Sequence, residues 1–548
     1  MDQPIAADTS SNSIRQLWPW LLVLLVVLLV GFIRFRLLDM PLERDEGEYG
    51  YAGQLLLQGI PPYELAYNMK LPGTYFIYAL GMGMFGQTVA GIHLTLLLAN
   101  SLTCIFVFLL GRKILGANAG LAACATYAIL SVSPAVMGMA AHANHFVVLF
   151  AVPATWLLWC GCESGRSPKI FFSGLLYGIG FLMKQQGVCF CLFGCAILLA
   201  VAIAQKNLFT KNFVRRSLIF GLGVMLPFAL VCAGLAYAGV FSKFWFWTFS
   251  YASRYAGNVP LAEGLGYLRG FVERKGVIFE GFVALAVLGT LAAASIPRLR
   301  RPIYFIAAFS AFSFLGTAIG LYFREHYFIL LLPALALAVG LAVVGLQNYL
   351  EAKAAPGLAL VVPWLCFAMI FGGNVFYQRK YFFEWPANQI VQIIYHLDPV
   401  LETPVIAEYI RKNSPADARI AVIGSEPQIY FYARRHSATG YLYTYALMEA
   451  QPFALRMQQE MIGEIEARPP EYLVWVAAAD SWSVHPNSDR TIINWFFQYA
   501  QANYERVGIA DTHSATQSFF LWETDAKNYQ GEPDLALFRR KVNPAKIK

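Results

Sequence analysis

Charge is what this sequence has little of. Asp, Glu, Lys and Arg make up 14% of its 548 residues, whereas 58% are hydrophobic and mean hydropathy is +0.51. Ordinary soluble chains carry about 25% charge, and a chain this poor in it cannot keep a globular surface wetted. Soluble classes are therefore excluded. The net charge of +8 is dispersed over short connections with no basic block, so no nucleic acid partner is implied. Cysteine is absent after Cys366, which leaves the C-terminal part without disulfides. Cys160 with Cys162 and Cys189 with Cys191 lack the spacing and partners of a zinc site and read as small apolar filler. Gly424 stands alone, without the glycine spacing of a dinucleotide loop. No small-residue cleavage site closes the first apolar run, so that run is expected to be a retained helix and not a signal peptide.

What the chain does have is long apolar segments. A membrane-crossing helix needs about 20 apolar residues. Runs of that kind lie at 17–38, 88–110, 117–136, 145–160, 170–183, 187–204, 217–240, 277–295, 302–322, 326–346 and 357–377. The runs 145–160 and 170–183 are short and must borrow flanking residues. A polytopic α-helical membrane protein with about 11 to 13 transmembrane helices is predicted. Residues 72–86 are apolar but few, and they carry Gly73, Gly81, Gly83 and Gly86, so a helix that does not span is expected there.

Basic connections set the orientation. Arg112-Lys113, Arg166 with Lys169, Lys206 to Arg216, Arg298 to Arg301, and Lys353 fall on alternate connections, as cytoplasmic loops do. This puts the N-terminus in the cytoplasm of a cell inner (plasma) membrane protein and the loops 39–87 and 241–276 outside. It puts the C-terminal part outside as well. From about Glu384 the composition turns mixed. Ala418–Gly424, Glu471–Val476 and Phe519–Trp522 read as strands, and 404–413, 427–434, 449–466 and 492–507 as helices. The chain thus divides into a transmembrane domain at 1–383 and an extracytoplasmic α/β domain at 384–548.

The first outward loop carries Glu43-Arg44-Asp45-Glu46-Gly47-Glu48-Tyr49. Acids beside hydrocarbon are costly and tend to be functional. The same outward side receives Lys70, His142, Asn144, His145, Lys184-Gln185-Gln186 and Arg324-Glu325-His326, although Lys and Arg are depleted from short outward loops. Carboxylates with cations beside them suit a transfer in which an acid activates a hydroxyl and cations stabilise a departing phosphate. A lipid-linked donor could lay its polyprenyl chain between helices with its phosphate at the interface. The bland readings are snorkelling for the cations, and helix capping for Glu48 and, less readily, for Asp45, on a helix that starts near Gly47.

In this order the motifs resemble the GT-C class of polyprenyl-phosphate-sugar glycosyltransferases. They are Asp45-Glu46-Gly47-Glu48-Tyr49 with Leu55-Leu56-Leu57 and Gly59, Lys70-Leu71-Pro72, Gly111-Arg112-Lys113, Gly178 to Lys184-Gln185, and His326-Tyr327 to Leu332-Pro333. Ile406 to Ile410, Ile420 to Gly424 and Glu426 to Tyr430 look like that class's outer domain. The resemblance implies a GT-C-like fold and an inverting transfer with Asp45 as the catalytic carboxylate and Glu46 as the second catalytic residue. It implies Lys70 on the donor phosphate, Lys184, Arg324 and His326 as helpers there, and Glu48, Tyr49, His142, Asn144, His145 and Gln185 as substrate contacts. Two departures stand out. Asn144 occupies a place where many relatives have a second acid, and Met69 stands where Glu is frequent before the lysine. No metal is therefore expected to be required, with a divalent cation not ruled out. The donor is expected to be a polyprenyl-phosphate-linked sugar and the acceptor a lipid, glycan or protein. A lipid or solute transporter would show repeated halves and polar residues at mid-membrane, and neither pattern is evident. Asn144 also fits a catalytically inactive relative with a binding role.

Overall fold

The computed structural model describes residues 9–208, 210–353, 356–395, 398–514 and 517–541. It forms two compact units, neither of them continuous in sequence. The first comprises Met1–Leu37, Leu96–Leu230 and Asn258–Glu384; the second comprises Leu38–Thr95, Val231–Gly257 and Trp385–Lys548. Residues 38–95 and 231–257 thus group with the C-terminal residues.

Every apolar run read from the sequence is helical over most of its length. Among the described residues, eight helical stretches are long and apolar enough to cross a membrane, from Leu17–Arg36 to Gly357–Tyr377. Ala117–Ser131 and Ser167–Met183 are shorter, with 15 and 17 residues, or about 23 and 26 Å at 1.5 Å per residue. Arg300–Ala318 adds 19 residues. The two short runs do borrow flanking residues, becoming Ala143–Ser164 and Ser167–Met183. The run at 117–136 ends early, because Ser133 caps a separate turn at Pro134–Val136 by accepting from the Ala135 N–H at 3.2 Å. Residues 325–331 form a tight 3-10 turn, and the α-helix begins at Leu332 with Pro333 in its first turn, where a missing N–H costs nothing.

Small residues let the first unit's helices approach closely. A Cβ on Gly289 would lie 2.2 Å from Ala342, so the helices Val277–Ala294 and Leu332–Lys353 meet backbone to backbone. Residues 325–353 are the most enclosed span, whereas Lys211–Tyr237 and Gly357–Tyr377 leave most of their surface outward.

In the second unit the helix Gly73–Phe85 has 13 residues, about 20 Å, too short for a hydrocarbon core of about 30 Å. The C-terminal residues build a six-stranded mixed sheet from β1 (Arg419–Ile423), β2 (His436–Ser437), β3 (Tyr472–Val476), β4 (Tyr504–Ser514), β5 (Gln517–Trp522) and β6 (Leu535–Arg540), in the order β2-β1-β3-β6-β4-β5. β1 runs parallel to β2 and β3, and the other pairs are antiparallel. Ile423, Leu473, Met461, Ile465 and Phe496 fill the core between sheet and helices.

Two expected helices are corrected. The one at 492–507 ends at Asn503, because Tyr504-Glu505-Arg506-Val507 pairs with β6 and carries a bulge at Arg506/Gly508. The one at 449–466 begins at Ala454, because Pro452 disfavours helix in the residue before it.

Candidate functional site

The acidic loop folds into the helix Arg44–Leu57, whose N-cap is Glu43: its Oε1 accepts from the Glu46 N–H at 2.9 Å. The expected start near Gly47 is thus three residues late, and neither Asp45 nor Glu48 is the cap. Gly47 lets this helix lie against Gln428, whose Cβ is 2.4 Å from where a Cβ on residue 47 would stand. Arg44 fixes the same junction: its Nε donates to Glu426 Oε1 at 2.8 Å and its Nη2 to Asp398 Oδ1 at 2.7 Å. Such a two-pronged clamp suits a guanidinium and not an ammonium.

With the helix held there, Asp45 and Glu48 lie one turn apart on the face that meets Lys70. The Lys70 ammonium donates to Asp45 Oδ1 at 2.6 Å and to Glu48 Oε2 at 2.7 Å. It also lies 4.6 Å from the centre of the Tyr49 ring and 5.5 Å from that of Tyr443. Tyr75 donates to Glu48 Oε1 at 2.6 Å, and Tyr63 donates to the Lys70 carbonyl at 2.7 Å. Tyr443 donates to the Arg44 carbonyl at 3.1 Å, with Asp45 Oδ1 at 3.4 Å. Burial opposes the charge on Lys70, but Asp45 and Glu48 outweigh it and hold its pKa well above the usual value. Burial pushes the Glu48 carboxyl up against the pull of Lys70.

Exposure separates the acids. The Asp45 side chain is 24% exposed and that of Glu48 is 0%. Glu46 is buried as well, with its Oε1 3.2 Å from His93 Nε2, while His93 Nδ1 donates to the Leu38 carbonyl at 2.7 Å. Of the three, Asp45 is the one that solvent reaches.

The first unit gathers a second set. Lys184 donates to Asn144 Oδ1 at 3.0 Å and lies 4.1 Å from the centre of the Tyr327 ring. Asn144 Nδ2 donates to Gln186 Oε1 at 3.3 Å. The rings of His142 and His326 stack at 4.2 Å. His145 is buried in the helix Ala143–Ser164. Arg324 is exposed, with the Tyr322 ring 5.7 Å away, and it is Gln186 and not Gln185 that reaches Asn144. Tyr63, Tyr75, Tyr443 and Tyr327 are absent from the sequence-derived set. In an apolar chain rich in tyrosine, only Tyr327, next to His326, carried a signal.

Comparison with known proteins gives three kinds of match. The family model for dolichyl-phosphate-mannose-protein mannosyltransferase matches residues 70–241. The undecaprenyl phosphate-alpha-4-amino-4-deoxy-L-arabinose arabinosyl transferase of Pseudomonas aeruginosa strain UCBPP-PA14 is 28% identical over 267 residues, covering 44% of this chain and 45% of the relative. The counterpart from Pseudomonas paraeruginosa matches to the same extent, so the aligned stretch spans less than half the length of these curated relatives. Among solved structures, ArnT from Cupriavidus metallidurans bound to undecaprenyl phosphate superposes with a TM-score of 0.56 at 14% identity, covering 83% of this chain and 93% of that one. The Archaeoglobus fulgidus oligosaccharyltransferase superposes with a TM-score of 0.54 at 11% identity, covering 93% and 75%. The oligosaccharyltransferase AglB from Archaeoglobus fulgidus, in complex with an inhibitory peptide and a dolichol-phosphate, gives a TM-score of 0.51 at 12% identity, covering 93% and 75%. In family model, in sequence and in fold, the chain thus bears out its resemblance to the GT-C class of glycosyltransferases.

Proposed function

We propose that this protein is an integral membrane glycosyltransferase that moves a sugar from a polyprenyl-phosphate donor to a hydroxyl of a lipid, glycan or protein acceptor. In this reading the reaction takes place at the outer face of the inner membrane and inverts the anomeric centre. The observation that carries it is the pairing of a partly exposed Asp45 with a half-buried Lys70 that Glu48 also holds. The relatives' donors, named as undecaprenyl phosphate sugars, and the undecaprenyl phosphate and dolichol-phosphate of the neighbouring structures support a lipid-phosphate donor.

The step balances with this chain's own groups. The acceptor oxygen attacks the anomeric carbon as its proton passes to an Asp45 carboxylate oxygen, and the bond from that carbon to the phosphate oxygen breaks. Polyprenyl phosphate leaves with the electron pair, and Lys70 meets the charge that develops on it. Glu48 keeps Lys70 protonated and aimed while Asp45 changes its protonation. Lys184, Arg324 and His326 are proposed, on the family resemblance, to contact the donor phosphate, and Tyr49, His142, Asn144, His145 and Gln185 the substrates. Asn144 spends its amide on Lys184 and Gln186, so the scheme uses one catalytic carboxylate and assigns Glu46 a supporting place. The test is mass spectrometry of envelope lipids, glycans and proteins from cells with the protein, without it, and with Asp45→Asn. A glycosylated product present only with the unaltered protein supports the reading, and identical profiles in all three overturn it.

A further inference from the structure

Lys211, Arg215, Leu218, Leu222 and Met225 recur at spacings of four and three, so they form one line along the helix Lys211–Tyr237. The first two are cations. The next three are apolar and face outward, with exposures of 68%, 61% and 57%. A shallow groove of about 520 Å³ follows the upper part of this line, walled by Lys211, Val214, Arg215, Leu218 and Ile219. Among the described residues no carboxylate pairs with Lys211 or Arg215; Arg215 Nη2 donates to the neutral Asn212 Oδ1 at 3.2 Å. Arg216 adds a third cation at this end. Its guanidinium packs over Gly165, and its buried Nε has no hydrogen-bond partner among the described residues.

We infer that this line binds one anionic glycerophospholipid of the surrounding bilayer, with its phosphate between Lys211 and Arg215 and an acyl chain along Leu218, Leu222 and Met225. Arg215 to Met225 is ten residues, about 15 Å of helix, which is half of a hydrocarbon core of about 30 Å and so the depth of one leaflet. A soluble anion has no use for the apolar part of the line. A zwitterionic lipid brings its own cation and leaves the protein's cations uncompensated.

The experiment is native mass spectrometry of the full chain released from detergent, titrated with phosphatidylglycerol or with phosphatidylcholine of the same acyl chains. The unaltered protein should retain one phosphatidylglycerol in clear preference to phosphatidylcholine. Lys211→Gln with Arg215→Gln should weaken that retention about 30-fold, as two interfacial cations are worth at the membrane surface. Lys211→Arg with Arg215→Lys should keep it. Equal retention of the two lipids by the unaltered protein, or undiminished phosphatidylglycerol binding by the double glutamine variant, overturns the site. So does tighter binding there of undecaprenyl phosphate than of phosphatidylglycerol. None of these readings depends on glycosyl transfer.

Discussion

Lys70 and Asp45 form an ion pair at 2.6 Å in which the lysine has a second carboxylate to hold it and the aspartate is the more exposed member. In the proposed reaction, losing Asp45 removes the reacting group, whereas losing Glu48 loosens a support. Asp45→Asn should lower transfer by about 10²- to 10⁴-fold, the usual weight of a general base, with expression and unfolding temperature unchanged. Glu48→Gln keeps one oxygen for Tyr75 or Lys70 but not for both. It should destabilise the protein by about 1 to 3 kcal/mol and retain transfer to within about tenfold. Near-normal turnover by purified Asp45→Asn removes the assignment.

Glu43 gives a pH signature. Burial, with Asp45 and Glu46 close by, pushes its carboxyl well above the usual range. The folded chain then binds this proton more tightly than the unfolded chain, whose carboxyl titrates near about 4.3. Stability is highest below that pH and falls as pH rises through the raised pKa. Glu43→Gln keeps an oxygen for the Glu46 N–H and removes the charge. The variant should melt higher than the unaltered protein at pH 8, and the gap should close near pH 4. A variant that melts lower at pH 8 contradicts this.

Orientation is open to a direct test. The alternating basic connections predict that residues 384–548 lie outside the cytoplasm. Asn487 is exposed in that region. Asn487→Cys should react with a membrane-impermeant maleimide in intact spheroplasts to the same extent as after lysis. Labelling confined to lysed cells reverses the topology and the outer-face reaction with it.

Lys70 donates to both Asp45 and Glu48 and Met69 beside it adds no carboxylate, so we propose a transfer that requires no metal. Transfer by the purified protein should therefore persist in a chelator at millimolar concentration. Loss of activity that returns on adding a divalent metal to the chelated protein contradicts a lysine-only scheme.

Much of this was legible in the sequence, for physical reasons. A long apolar run such as 357–377 has no option but to be a helix in lipid, and the acids at 43–48 are conspicuous in a chain so short of charge. What the sequence concealed depends on partners distant along the chain. Glu48 reads as a first-turn acid complementing a helix dipole, and only the fold brings Lys70 and Tyr75 to it. Tyr75 lies in an apolar stretch where a tyrosine and a phenylalanine look alike. The strand from Tyr504 continues a helical pattern without a break, and β6 shows no alternation, so its pairing between β3 and β4 decides it.

The cations provide the last prediction. Lys70, Lys184 and Arg324 stand out in the sequence because outward connections, where the basic-loop pattern predicts them, disfavour cations, but they are held differently. Lys70 is fixed by two carboxylates, Lys184 by Asn144 and the Tyr327 ring, and Arg324 is exposed. If each contacts a charged phosphate oxygen of the donor, replacement by alanine should remove about 1.5 to 3 kcal/mol, or about 10- to 150-fold in donor affinity. Arg324→Lys should restore only part of the loss, because an ammonium lacks the planar fork. Asn144→Ala provides the control for Lys184: it releases the lysine without removing its charge, and should cost less affinity than Lys184→Ala. Interfacial snorkelling forecasts the opposite, with Arg324→Lys indistinguishable from the unaltered protein and the alanine variants changing stability alone. Binding of a polyprenyl-phosphate sugar to the variants in nanodiscs distinguishes the two, and unchanged affinity in all three alanine variants leaves the proposed phosphate contacts without support.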